Sequence, residues 1–197
     1  MKTNHYEILF EYIEKLINAK VPEKEKREII RTFKPRKLNK KDFFIKEGDI
    51  PACIAFNVTG LLRCYYIDNN GNDVTKYFCF EGSMLSYLGL VLRKESKYYI
   101  EALEDCLLLY ADYDSFENLI NNSYFALIII KTFLEQTLIY KEERESSFLL
   151  ENATERYINL VNAFPDIEQR VNLGYIASYL GVSQVSLSRI RKKLNII

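Results

Sequence analysis

The residues whose types and spacing are best suited to chemistry lie near the C-terminus, between Leu173 and Leu194. Ala177 and Gly181 stand four apart, and Ser183 follows the glycine by two. A small residue lets a second helix approach the first closely, and glycine accepts the left-handed backbone of a tight turn. A serine hydroxyl satisfies an early amide of the helix that follows. Ile176, Leu180, Val182, Leu187 and Ile190 fall on the inward positions of two helices crossing at that turn, so the spacing predicts a helix-turn-helix. On this alignment Gln184, Val185, Ser188 and Arg189 face outward along the second helix. Glutamine can pair with an adenine edge and arginine with guanine, while valine can meet a thymine methyl. Ser183, Arg191, Lys192 and Lys193 are the expected phosphate contacts. From Ser183 to Lys193 there are four positive charges and no negative one, in a chain whose formal net charge is zero. A plain helical hairpin with a solvated basic end is the competing reading. The joint match of small residue, turn glycine, five apolar positions and capping serine weighs against it.

Other chemistries find less support. The single histidine, His5, lies near the N-terminus, which argues against a histidine-built metal site or a catalytic triad. Cys53, Cys64, Cys79 and Cys106 contain no closely spaced ligand pair and read as reduced, largely buried thiols. A cupin-type enzyme, also built on a β-roll, would need several strand histidines, and the β-rich region has none. The reading is therefore of a protein that is not an enzyme, with no cofactor and no metal.

The elements that must position the basic helix follow from periodicity. The opening helix, with Ile8, Tyr12 and Leu16 on one face, carries Glu7, Glu11 and Glu14 and is not a secretory signal. The longest apolar run, Phe125 to Ile130, is too short to span a bilayer, so a cytoplasmic protein with no membrane partner is expected. From Lys37 to Tyr110 short alternating runs are separated by turn residues, among them Asp68-Asn69-Asn70-Gly71-Asn72, read as a hairpin with an Asn-Gly turn. Asp114 to Glu117 reads as a capping box opening a short helix to Ile120. A long helix over 123–148 then carries Phe125, Ile129 and Phe133 beside a stripe of Ile130, Leu134 and Leu138, wide enough to cover the roll or to meet a second subunit. A second capping box, Asn152 to Glu155, starts a helix that stops at Phe164-Pro165. The expected architecture is α+β: an antiparallel β-roll (a double-stranded β-helix) with a long dimerisation helix over 1–150, and a helix-turn-helix domain over 151–197.

Over nearly its whole length the sequence resembles the Crp/Fnr superfamily of bacterial transcription regulators. The residues that carry the resemblance are Phe44-Ile45-Lys46-Glu47-Gly48-Asp49, Gly60-Leu61-Leu62-Arg63 and Ala102-Leu103-Glu104-Asp105, then Ala177-Ser178-Tyr179-Leu180-Gly181-Val182-Ser183 and Leu187-Ser188-Arg189-Ile190-Arg191. The resemblance implies a cyclic-nucleotide-binding-like roll and a winged-helix DNA domain, whose wing is missing or reduced since Ile197 follows the second helix so soon. Nucleotide-binding members carry a glutamate for the ribose and an arginine for the cyclic phosphate. Here Ser86-Tyr87 stand where Gly-Glu would, and Ser96-Lys97 where Arg-Ser would. A response to cyclic nucleotides in the usual manner is therefore not expected. Tyr87, Arg93, Lys97, Tyr98 and Tyr99 form the candidate effector pocket for an unidentified small molecule, against a filled or cryptic core, which is favoured. Val185 replaces an acidic residue common in the family. The implied partners are double-stranded DNA, a second copy in a homodimer, and RNA polymerase. The alternative function is a sensory or interaction module that reads no DNA.

Overall fold

The computed structural model describes residues 5–85 and 91–194; Tyr87 lies outside the described residues. The opening helix α1 (His5–Ile17) buries Leu9, Phe10 and Ile13, and Ile8 and Tyr12 of the expected face pack at the edge of the same cluster. Helix α2 (Glu23–Thr32) restarts after Pro22 and buries Ile29.

Among the described residues eight strands follow: β1 (Lys34–Leu38), β2 (Phe43–Ile45), β3 (Cys53–Thr59), β4 (Leu62–Ile67), β5 (Asp73–Cys79), β6 (Met84–Leu85), β7 (Tyr99–Ala102) and β8 (Cys106–Asp112). They form two four-stranded antiparallel sheets in the orders β1-β8-β3-β6 and β2-β7-β4-β5. The sequence of β3 explains the layering. Ile54, Phe56 and Val58 point to the helical cover while Ala55 points between the sheets, so the strand is apolar at both parities. Between the sheets lie Leu62, Cys64, Cys79, Leu85, Ile100 and Leu108, all essentially inaccessible. Three of the four cysteines are buried there as free thiols, and Cys53 is half-buried.

The β4–β5 hairpin forms as its turn residues require, with one difference. Gly71 donates to the Asp68 carbonyl at 3.0 Å and Asp68 donates to Asn72 at 2.9 Å, closing a three-residue loop. Only Gly71 takes positive φ, at +81°. The loop is thus a type I turn plus a left-handed glycine rather than a two-residue Asn-Gly turn. The Asp68 carboxylate accepts from the amides of Asn70 and Asn72, and this pins Asn70 in ordinary backbone.

Helix α3 (Tyr113–Asn122) is capped by Asp112 rather than opened at Asp114, because the Asp112 carboxylate takes both the amide and the hydroxyl of Ser115. Ser123 caps the 27-residue helix α4 (Tyr124–Leu150). Phe125, Ala126, Ile129 and Ile130 of α4 pack on the helical core, whereas Leu127, Leu134 and Leu138 are exposed. The chain breaks helix at Glu151 and re-enters it through the capping box of Asn152 and Glu155, starting α5 (Ala153–Ala163). Helices α6 (Ile167–Arg170), α7 (Leu173–Leu180) and α8 (Gln184–Lys193) complete the described chain. Among the described residues the segment after α4 carries no strand. Its core of Tyr157, Leu160, Ile167, Ile176, Leu180 and Leu187 is continuous with Leu61, Phe78 and Phe80 on the outer face of the second sheet. No helix of the described residues is long and apolar enough to cross a membrane.

Candidate nucleic-acid interface

The turn between α7 and α8 has the expected backbone. Gly181 is left-handed at φ +71°, and its amide reaches the carbonyls of Ala177 and Ser178. A Cβ at Gly181 would also stand 2.9 Å from Phe148 Cε1, so a larger residue would have to move that ring as well as adopt the left-handed backbone. Ala177 is buried, allowing α8 to cross closely, and Leu187 is the residue that α8 buries. Ser183 caps α8, its hydroxyl accepting from the Ser186 amide at 3.1 Å.

The outward face of α8 is open. Ser183, Gln184, Val185, Ser188, Arg189, Lys192 and Lys193 are all exposed, and among the described residues none of these three cations is ion-paired. Arg191 differs. Its Nε lies 2.8 Å from Glu168 Oε1, an oxygen that also accepts from the Tyr157 hydroxyl at 2.8 Å. The pair is close but poorly aligned for a hydrogen bond. Arg191 therefore turns inward and fastens α8 to α6 and α5, instead of lying on the basic face as its charge suggested.

Two sets of contacts fix this unit in place. On one side the roll grips α7. The fully buried Arg63 donates to Thr75 Oγ1 and Asp73, both at 2.8 Å, and its guanidinium lies 3.7 Å from the Tyr175 ring centroid. Ser178 donates to the Asp73 carbonyl and accepts from the Thr75 amide, and Phe80 stacks on Phe164 at 3.9 Å. Arg170 forks onto Glu104 and Glu81. On the other side α4 and α5 grip the turn. Arg144 donates to the Tyr179 carbonyl and Arg156 to that of Leu180, placing two cations at the C-terminal end of α7. Sequence reasoning missed these residues. Phe78 and Phe80, alternating apolar positions on a strand, were the signal that the second sheet's outer face is covered.

Of the residues expected to line an effector pocket, the described ones, Arg93, Lys97, Tyr98 and Tyr99, are not brought together. Arg93 is exposed and lies over the Tyr113 ring at 3.9 Å. Lys97 is exposed. Tyr99 points outward, stacked on Tyr65 at 5.1 Å, whereas its neighbour Tyr98 packs against the inter-sheet core. Ser96 is buried in local structure, its hydroxyl bonded to both backbone groups of Tyr98. Burial pushes the Cys64 and Cys106 thiols up to about 11 and Cys79 up as well, so these groups are inert fillers. An apolar cavity of about 40 Å³ lies elsewhere, between α1, α3 and α4.

Residues 35–123 match the family model of the cyclic nucleotide-binding domain. The fold is that of Crp/Fnr-type regulators. The structure of the c-di-GMP responsive global regulator CLP of Xanthomonas campestris is 15% identical, covers 89% of this chain and 92% of its own, and has a TM-score of 0.71. FixK2 of Bradyrhizobium japonicum is 17% identical, with 83% and 85% coverage and a TM-score of 0.69. A CooA mutant from Carboxydothermus hydrogenoformans is 20% identical, with 99% and 85% coverage and a TM-score of 0.67. No curated protein matches the chain.

Proposed function

We propose that this chain, which carries a cyclic nucleotide-binding domain over residues 35–123 and has the fold of Crp/Fnr-type regulators, is a transcription regulator that reads double-stranded DNA with α8. The observation that carries the reading is the solvent-open face of Gln184, Val185, Ser188 and Arg189, flanked by the unpaired cations Lys192 and Lys193, on a helix capped at Ser183. Gln184 and Arg189 read bases, Val185 meets a thymine methyl, and Ser183, Lys192 and Lys193 hold phosphates. Two copies associate through the exposed Leu127, Leu134 and Leu138 of α4 and present two helices to half-sites about 34 Å apart. The protein works in the cytoplasm and acts on RNA polymerase, under a small-molecule effector that is not a cyclic nucleotide held in the usual manner.

Selection of bound fragments from random duplex DNA, followed by titration at two salt concentrations, tests this. A preferred sequence with two related half-sites is expected, with an affinity that falls steeply with salt. Binding that is weak and indifferent to sequence at every salt concentration would leave α8 without its assigned role and favour a module that reads no DNA.

A further inference from the structure

Helix α8 displays one side chain that neither its packing nor its charge explains. Of its three apolar residues, Leu187 is buried and Ile190 packs at the edge of the C-terminal core, whereas Val185 is 62% exposed. Valine is also a weaker helix former than alanine or leucine, so helix propensity does not call for it there. An apolar group held out among Ser183, Gln184, Ser188 and Arg189 is suited to meet another apolar group. In the major groove the apolar group on a base edge is the methyl on carbon 5 of a pyrimidine.

Ser188 makes this surface more selective. It stands three residues after Val185, so the two side chains are neighbours on the outward face. Its hydroxyl donates to the Gln184 carbonyl at 3.0 Å, and what it turns to solvent are lone pairs. Val185 and Ser188 together therefore offer an apolar contact beside a hydrogen-bond acceptor. Thymine sets its methyl beside the O4 oxygen, which would face Ser188 with lone pairs of its own. Unmodified cytosine has the amine donor but no methyl. A cytosine methylated at carbon 5 carries both side by side, because one amine proton pairs with guanine and the other lies towards the methyl. No carboxylate, a better acceptor for a cytosine amine, lies between Ser183 and Lys193, and Ser188 is the acceptor one helical step from Val185.

We propose that Val185 and Ser188 make α8 a reader of cytosine methylation: the chain binds its site more tightly when a cytosine in it carries a 5-methyl group, the methyl meeting Val185 and the amine donating to Ser188 Oγ. Thymine keeps the methyl contact and forgoes the hydrogen bond. This deepens the reading of double-stranded DNA by α8 and rests on it.

The test remakes the duplex selected by the full chain with each pyrimidine changed in turn. Cytosine becomes 5-methylcytosine, thymine becomes deoxyuridine, and each T·A pair becomes C·G with and without the methyl. Affinities are read by fluorescence anisotropy at one salt concentration. At one pyrimidine of each half-site, 5-methylcytosine is expected to bind about 3- to 5-fold more tightly than cytosine, the worth of burying one methyl, and thymine to exceed deoxyuridine by a similar factor. Val185→Ser, which replaces both methyls by a hydroxyl, should bring these ratios to about one. Ser188→Ala should keep them and remove the advantage of 5-methylcytosine over thymine. Serine matches valine as a helix former and alanine exceeds serine, so both variants keep α8, and salt slopes equal to that of wild type would show it. A selected site at which no methyl moves the affinity by as much as twofold overturns the proposal and leaves DNA reading standing. So does a methyl effect that survives Val185→Ser, or a preference for 5-methylcytosine over thymine unchanged by Ser188→Ala. Binding indifferent to sequence overturns DNA reading itself, and this proposal with it.

Discussion

Replacing Arg170 by alanine should loosen the C-terminal helices from the roll. The guanidinium gives Nε and Nη2 to the two Glu104 oxygens at 2.9 and 2.7 Å, and Nη2 and Nη1 to Glu81 at 2.7 and 3.2 Å. Well-buried charge-assisted bonds are worth about 1.5–3 kcal/mol each. Arg170 is only 20% exposed, but its partners are 40% and 32% exposed, so solvent screens the pairs. Discounting accordingly, the whole clamp contributes about 2–3 kcal/mol. A domain of this size loses about 2–4 °C in Tm per kcal/mol, so Arg170→Ala should melt roughly 5–10 °C lower at pH 7. Arg170→Lys keeps the charge but not the fork, and should fall between the two. The acid limb supplies a second readout. Hydrogen bonding to Arg170 holds the Glu81 carboxyl below its ordinary value of 4.5 despite the opposing effect of burial. A depressed carboxylate contributes its full stabilisation above the unfolded value and loses it as pH falls through the folded one. The Tm gap between wild type and Arg170→Ala should therefore be steady from pH 7 to about 5 and narrow below that. An unchanged Tm at neutral pH, or a gap that stays constant into acid, would refute the clamp.

Other outcomes follow from the same contacts. Arg191→Ala should lower stability by about 1–2 kcal/mol while changing the salt slope of DNA binding by less than one charge, whereas Lys192→Ala should reduce that slope by about one with little change in Tm. Arg189→Ala should cost about 1–3 kcal/mol at one base pair of the selected site and flatten the preference there, as read from single-base variants. Leu138→Glu, on the exposed face of α4, should give a monomer by sedimentation without a large loss of helicity by circular dichroism. In native protein iodoacetamide should label the half-buried Cys53 before Cys64, Cys79 and Cys106, as mass spectrometry of digests would show.

Local signals in the chain were those whose physics is local. Asn152 and Glu155 cap α5 as their spacing requires, Ser183 caps α8, and Gly181 takes the left-handed turn, because each involves partners within four residues. The alternation of β4 and β5 gave the strands, but not the bulge at Lys76. A bulge is settled by which face each neighbouring strand must bury, and that depends on Cys64 and Tyr77 facing the same core. The separation of Tyr98 from Tyr99 has the same origin. Adjacent residues at a strand's start face opposite sides of a sheet, so a contiguous pair could not line one pocket.

The inward turn of Arg191 shows what charge counting leaves out. A run of basic residues on a helix suggests one continuous cationic face, yet successive positions are about 100° apart around the axis. Lys192 and Lys193 reach solvent, while Arg191 points to the side where Tyr157 is fully buried and Glu168 awaits a cation. Glu168 and Arg191 are 23 residues apart in sequence, so nothing local announces the pair. Its effect nonetheless reaches the outward face: a helix tethered in its third and last turn presents Gln184 and Arg189 at an orientation fixed by α5 and α6. Those helices are in turn clamped to the roll through Arg170 and Phe164. The outward face of α8 is thus oriented by the second sheet through a short chain of contacts. Any displacement of β5, whose backbone Ser178 grips at Asp73 and Thr75, would therefore be felt at α7 and, through the turn, at α8.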